Sequence, residues 1–138
     1  MERIYLASWV QDQPRMRELK ACLEKLGYRV VSSWVEAAFN VQSDEAALGN
    51  SVWAHRCEED VHRCDTIVVM ADDPVRGHGN GGHHTELGIA RALEKTVYVV
   101  GAPEQVLHHL REIKWFVDIP ALLQFLQDKQ YASWYVQK

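Results

Sequence analysis

Apolar residues in this chain gather into short unbroken runs, and between those runs they recur every three or four positions. The run RIYLAS, residues 3–8, is rich in β-branched and aromatic side chains and predicts a buried strand. It ends in VQDQP, where Asp12 can cap a helix and Pro14 can open one. Met16, Leu19, Leu23 and Leu26 then keep helical spacing over residues 15–26, and Gly27 supplies the stop before the strand-like YRVVSSW. Residues 36–50 have no clear period; a connection of that length reads as a mobile cover over a site. Helical spacing returns over residues 51–64 through Val52, Ala54, Cys57, Val61 and Cys64, and DTIVVMA follows as a run of buried-strand type. A glycine-rich loop precedes a helix over residues 82–93. After it come the strand TVYVVG, a short helix over 104–110, the strand KWFV and a last helix over 120–129.

Strands that alternate with helices specify a parallel sheet covered on both faces. The expected fold is therefore α/β: a single three-layer α/β/α domain spanning residues 1–138. Its five-stranded parallel sheet would be Rossmann-like or flavodoxin-like, in the order 2-1-3-4-5. Ligands of such sheets bind at the carboxyl ends of the strands where the winding reverses, which sets residues 5–9 beside residues 70–86. A length of 138 residues with 47% apolar content suits one core. A net charge of −4 and a pI near 5.9 argue against nucleic acid or an anionic membrane surface as partner, since both attract clustered Lys and Arg. Three cysteines without metal-knuckle spacing fit reduced thiols in a cytoplasm. No stretch approaches the length of a membrane span or a secretory leader, so a soluble, unprocessed protein is expected.

The helix after the glycine loop raises the question of chemistry. Its spacing puts Glu86 in the first turn, on one face with Ile89, Ala90 and Leu93. There the helix dipole would favour an ionised carboxylate, suited to attack or stabilise an oxocarbenium-like sugar carbon. Other readings stay open. Gly77, Gly79, Gly81 and Gly82 can simply permit a strand-to-helix turn, and Glu86 can be a capping charge alone. Dinucleotide binding would need a glycine register that this loop lacks. A metal site from His78, His83 and His84 with Asp72 or Asp73 would need adjacent histidines to converge, although on a helical turn they diverge. Asp65 can open a strand or end a helix, Asp60 can be a solvated helix position, and Trp9 can stack on a base or fill the core. Arg76 can meet a phosphate or stay solvated.

IYLAS, LEKLGYRVVSSW, EDVHRCDTIVVM and GGHHTELGIARALEKTVYVVG, in this order, resemble the nucleoside 2-deoxyribosyltransferase family, which includes deoxynucleoside 5'-monophosphate N-glycosidases. The resemblance runs over residues 3–126 and is sharpest in T-E-L-G-x-A-x-A-L-x-K. It implies cleavage of an N-glycosidic bond, with Glu86 matching the nucleophile and Tyr5 the strand-one tyrosine that contacts it. Asp65 joins them in the expected catalytic set. Ser8, Trp9, Asp72, Asn80, Gly81, Gly82 and His83 make up the expected substrate-binding set, and no metal or cofactor is called for. Two departures stand out: Cys57 and Asn80 occupy places where the family carries aspartates, so acid work would pass to Asp72, Asp73, His83 or His84. Two function classes follow. One is an N-glycosidase or deoxyribosyltransferase; the other is a nucleotide-binding module of the same fold without turnover, or a hydrolase of another N-glycosidic ligand. The expected partner is a small nucleoside or nucleotide. Five tryptophans and the aromatic tail QYASWYVQK, read as lying beyond the last helix, add the expectation of a homo-oligomer.

Overall fold

The computed structural model describes residues 2–38, 46–71, 81–102 and 106–136. Five parallel strands form the sheet: β1 (Arg3–Ala7), β2 (Arg29–Val30), β3 (Thr66–Met70), β4 (Thr96–Val100) and β5 (Ile113–Phe116). Their order is β2-β1-β3-β4-β5, the reversal at β1 and β3 that the alternation predicted. The register sets Tyr5 opposite Ile67 and Ile67 opposite Val97, so three central strands share one apolar layer. All five residues of β3 are buried, which is why that strand reads as a continuous apolar run rather than an alternating one.

Four helices cover the sheet: α1 (Gln13–Lys25), α2 (Ala46–Arg63), α3 (Gly82–Ala92) and α4 (Ile119–Val136). α1 packs with α4 and α2 with α3, while α3 lies over β1, β3 and β4. This is the three-layer arrangement that right-handed crossovers require when a sheet grows both ways from its middle. Gly27 ends α1 at φ +94, a conformation that disfavours any side chain.

Several boundaries differ from the sequence expectation. β2 is only two residues long because the chain soon turns into a 3-10 helix, Ser33–Glu36. The pairing there passes to a side chain: the Leu6 amide donates to Ser32 Oγ at 3.0 Å, and Trp34 Nε1 donates to the Leu6 carbonyl at 2.7 Å. α2 begins five residues earlier than its spacing indicated, taking up part of the stretch read as irregular; residues 39–45 of the expected cover lie outside the described residues. α4 continues to Val136, so the aromatic tail is helix and not a segment beyond it. Asp12 precedes α1 without capping it through its side chain, which is engaged elsewhere. No helix among the described residues is long and apolar enough to cross a membrane.

Candidate active site

Tyr5 stands in the middle of β1, fully buried, and its hydroxyl donates a hydrogen bond to Glu86 Oε2 on α3. A strand residue and a helix residue 81 positions apart thus meet where the sheet's winding reverses. Glu86 is half-buried. It is the fifth residue of α3, and no acidic residue occupies the first turn. The expected dipole effect is therefore corrected: the field of a helix end fades within one turn, and burial dominates instead. Burial pushes the Glu86 carboxyl up to about 8, which favours the protonated form at neutrality. The facing set is corrected too. His83, Leu87 and Ala90 form the buried stripe of α3, whereas Leu93 is 39% exposed.

The entry to α3 is shaped by Gly81, whose φ of +85 is left-handed and whose carbonyl accepts the His84 amide at 3.0 Å. Gly82 opens the helix and is exposed. His83 is buried at the second position of α3, and its ring lies 4.0 Å from that of half-buried His84. The His84 ring is in turn 5.5 Å from that of His108, which comes after β4 and is fully buried. Burial pushes the His108 imidazole below its usual value, and its neighbours His84, His83 and His109 add to the effect. Sequence reasoning missed His108; the only signal was a histidine pair following the fourth strand. Among the described residues, no group of three or more His, Cys, Asp or Glu is placed to hold a metal ion.

Ser8 and Trp9 follow β1. Ser8 Oγ donates to Asp12 Oδ2 at 2.7 Å, and the same oxygen accepts Arg15 Nη2 at 2.7 Å and Nε at 3.2 Å. Asp12 is buried, so its charge is compensated by this clasp. Trp9 is half-buried, and its carbonyl accepts the Asp12 amide at 3.0 Å. A cavity of about 500 Å³ opens nearby at the carboxyl ends of β3 and β4. Its walls include Arg15, Met70, Ala71, Gly101 and Asp118, but neither Tyr5 nor Glu86.

Asp65 belongs elsewhere. It precedes β3 at the amino edge of the sheet, accepting the Arg3 amide at 2.8 Å and Arg3 Nη2 at 3.1 Å. Hydrogen bonds from Arg3 hold its carboxyl below the ordinary carboxylate range. The opposite edge from the ligand-binding one suits a tether between β1 and β3, and the catalytic expectation for Asp65 is corrected accordingly. Asp60, read as a solvated helix position, is buried and accepts the Ser33 amide at 2.9 Å, fixing the turn after β2. Cys57 is half-buried on α2, and burial raises its thiol to about 11, which leaves it a weak acid. Asp72 and Asn80 lie outside the described residues, as do Asp73, Arg76 and His78.

Solved structures share this architecture. A CMP N-glycosidase from Clostridium botulinum superposes with a TM-score of 0.60 at 21% identity, covering 91% of this chain and 98% of its own. A 2-deoxyribosyltransferase from Bacillus psychrosaccharolyticus gives a TM-score of 0.66 at 19% identity, covering 88% and 90%. A 2-deoxyribosyltransferase from Leishmania mexicana gives 0.57 at 14% identity, covering 78% and 69%. No curated protein matches the chain in sequence. The sequence profile of nucleoside 2-deoxyribosyltransferases matches residues 4–119, most of the chain. The chain belongs to the nucleoside 2-deoxyribosyltransferase family, whose enzymes cleave or transfer N-glycosidic bonds of nucleosides and nucleotides.

Proposed function

We propose that the protein breaks the bond between base and sugar in a deoxyribonucleoside or nucleoside 5'-monophosphate, with Glu86 as nucleophile. The observation that carries this reading is the Tyr5 hydroxyl set on the Glu86 carboxyl at the winding reversal. A carboxyl raised to about 8 by burial is a poor nucleophile until it ionises. Positive charge developing on the sugar favours the ionised form, and so does the tyrosine hydrogen bond, since both stabilise carboxylate over acid. One carboxylate oxygen then attacks the anomeric carbon while the other keeps the Tyr5 hydroxyl, forming a glycosyl-enzyme ester. Water completes hydrolysis, or a second base completes transfer.

The test is incubation with a panel of deoxynucleosides and nucleoside 5'-monophosphates, with and without an added free base, followed by chromatography. Base release by the wild-type chain, reduced about a thousandfold or more in Glu86→Gln with the fold intact, supports the reading. Release that is unchanged in the variant removes Glu86 from the mechanism, and saturable binding without release makes the chain a nucleotide-binding module. We further propose a homo-oligomer that covers the end of α4, where Tyr131, Trp134, Tyr135 and Val136 are all more than half exposed.

A further inference from the structure

The bond that breaks leaves an electron pair on a base nitrogen, and a base departs far more readily when a proton meets that pair. Glu86 cannot supply the proton while acting as nucleophile, and the Tyr5 hydroxyl is engaged with Glu86. Among the described residues, the other acids near this end of the sheet are committed or unsuited. Asp12 is clasped by Arg15 and Ser8, Asp118 accepts the Ala121 amide at the start of α4, Asp60 holds the Ser33 amide, Asp65 lies at the opposite edge, and the Cys57 thiol is too weak. His83 is set apart by its place. It sits three residues before Glu86, close to it around α3, and one turn nearer the carboxyl edge of the sheet, from which a ligand enters.

We infer that His83 is the proton donor to the departing base. This rests on the reading of Glu86 as nucleophile. In the first half-reaction the C1'–N bond breaks, its electron pair goes to the base, a Glu86 oxygen bonds to C1', and the proton on His83 passes to the base nitrogen. In the second, the oxygen of water bonds to C1', the Glu86 ester bond breaks, and the proton of that water returns to His83. The enclosure of His83 favours this use. The His83 ring is shielded from solvent, His84 stacks on it at 4.0 Å and is itself part-exposed, and His108 closes the row at 5.5 Å from His84.

The experiment compares two leaving groups on one sugar: the best nucleoside or nucleotide substrate from the panel, and the 4-nitrophenyl glycoside of the same sugar, whose phenolate departs without a proton. His83→Gln is expected to lose about a hundredfold or more in kcat/KM on the nucleoside and less than about threefold on the nitrophenyl glycoside. Glu86→Gln is expected to lose both. If His83→Gln does not fold, His83→Asn is read the same way, and activity on the nitrophenyl glycoside itself reports an intact site. Equal losses on the two substrates by a folded variant, or no loss on either, overturns the role of His83 while leaving Glu86 in place. Both activities surviving in Glu86→Gln overturns the nucleophile and this inference together.

Discussion

At the scale of single residues, Glu86 is a carboxyl whose environment opposes its charge. Glu86 has a folded-state value of about 8, above the ordinary 4.5, so the native chain holds a proton that the unfolded chain has released between those limits. Stability is therefore fullest below the unfolded value and declines as pH rises through the folded one. Glu86→Gln, permanently neutral, is expected to be more stable than wild type at pH 8.5 by on the order of 1–3 kcal/mol after allowance for partial exposure, read as a higher melting temperature, and nearly equal to it at pH 4.5. Equal shifts at the two pH values would show that burial does not govern this group. Tyr5→Phe removes the hydrogen bond that favours the ionised form and is expected to lower kcat/KM by about 10–100-fold, whereas a tyrosine serving only the core would leave it unchanged. Glu86 and Tyr5 were legible in the sequence because one motif and one strand carry them. The protonation state was not, since it depends on how much protein closes over the carboxyl; Asp65 was read rightly as opening a strand, but its catalytic role came from the resemblance alone and overlooked that a strand's opening lies at the amino edge of the sheet.

At the scale of elements, periodicity located the five strands and four α-helices of the described residues, the short helix expected over 104–110 is a 3-10 helix, Val106–His109, and the ends were where the reading failed. β2 and α4 show why. A strand stops when side chains such as Ser32 and Trp34 take over its ladder partners, and a helix continues when an aromatic segment keeps helical spacing with no glycine or proline to break it. Gly27 was legible because its role is purely conformational. With φ at +94 and Gln130 Nε2 3.4 Å from where a Cβ would stand, Gly27→Ala is expected to cost about 1 kcal/mol, read as a lower urea midpoint with unchanged slope. A neutral result would mean the turn between α1 and β2 relaxes freely.

At the scale of the whole molecule, the winding reversal does most of the positioning. It brings β1, β3 and the start of α3 together, which is how Tyr5 and Glu86, distant in sequence, come to meet. The sheet order followed from the alternation of elements, but the histidine row did not, because it joins residues from two separate crossovers. The exposed aromatic end of α4 predicts self-association. Light scattering is expected to give a multiple of the 15.9 kDa chain mass and Trp134→Glu to return it to the single value; a monomeric wild type would contradict the proposed contact. The most direct test of the nucleophile is peptide mass mapping after incubation with a 2-fluoro-2-deoxy nucleoside, whose glycosyl-enzyme ester breaks down slowly. The account predicts a fluorosugar mass increment on the peptide carrying Glu86, absent from Glu86→Gln. Base release with the increment on another residue, or with none at all, would contradict it.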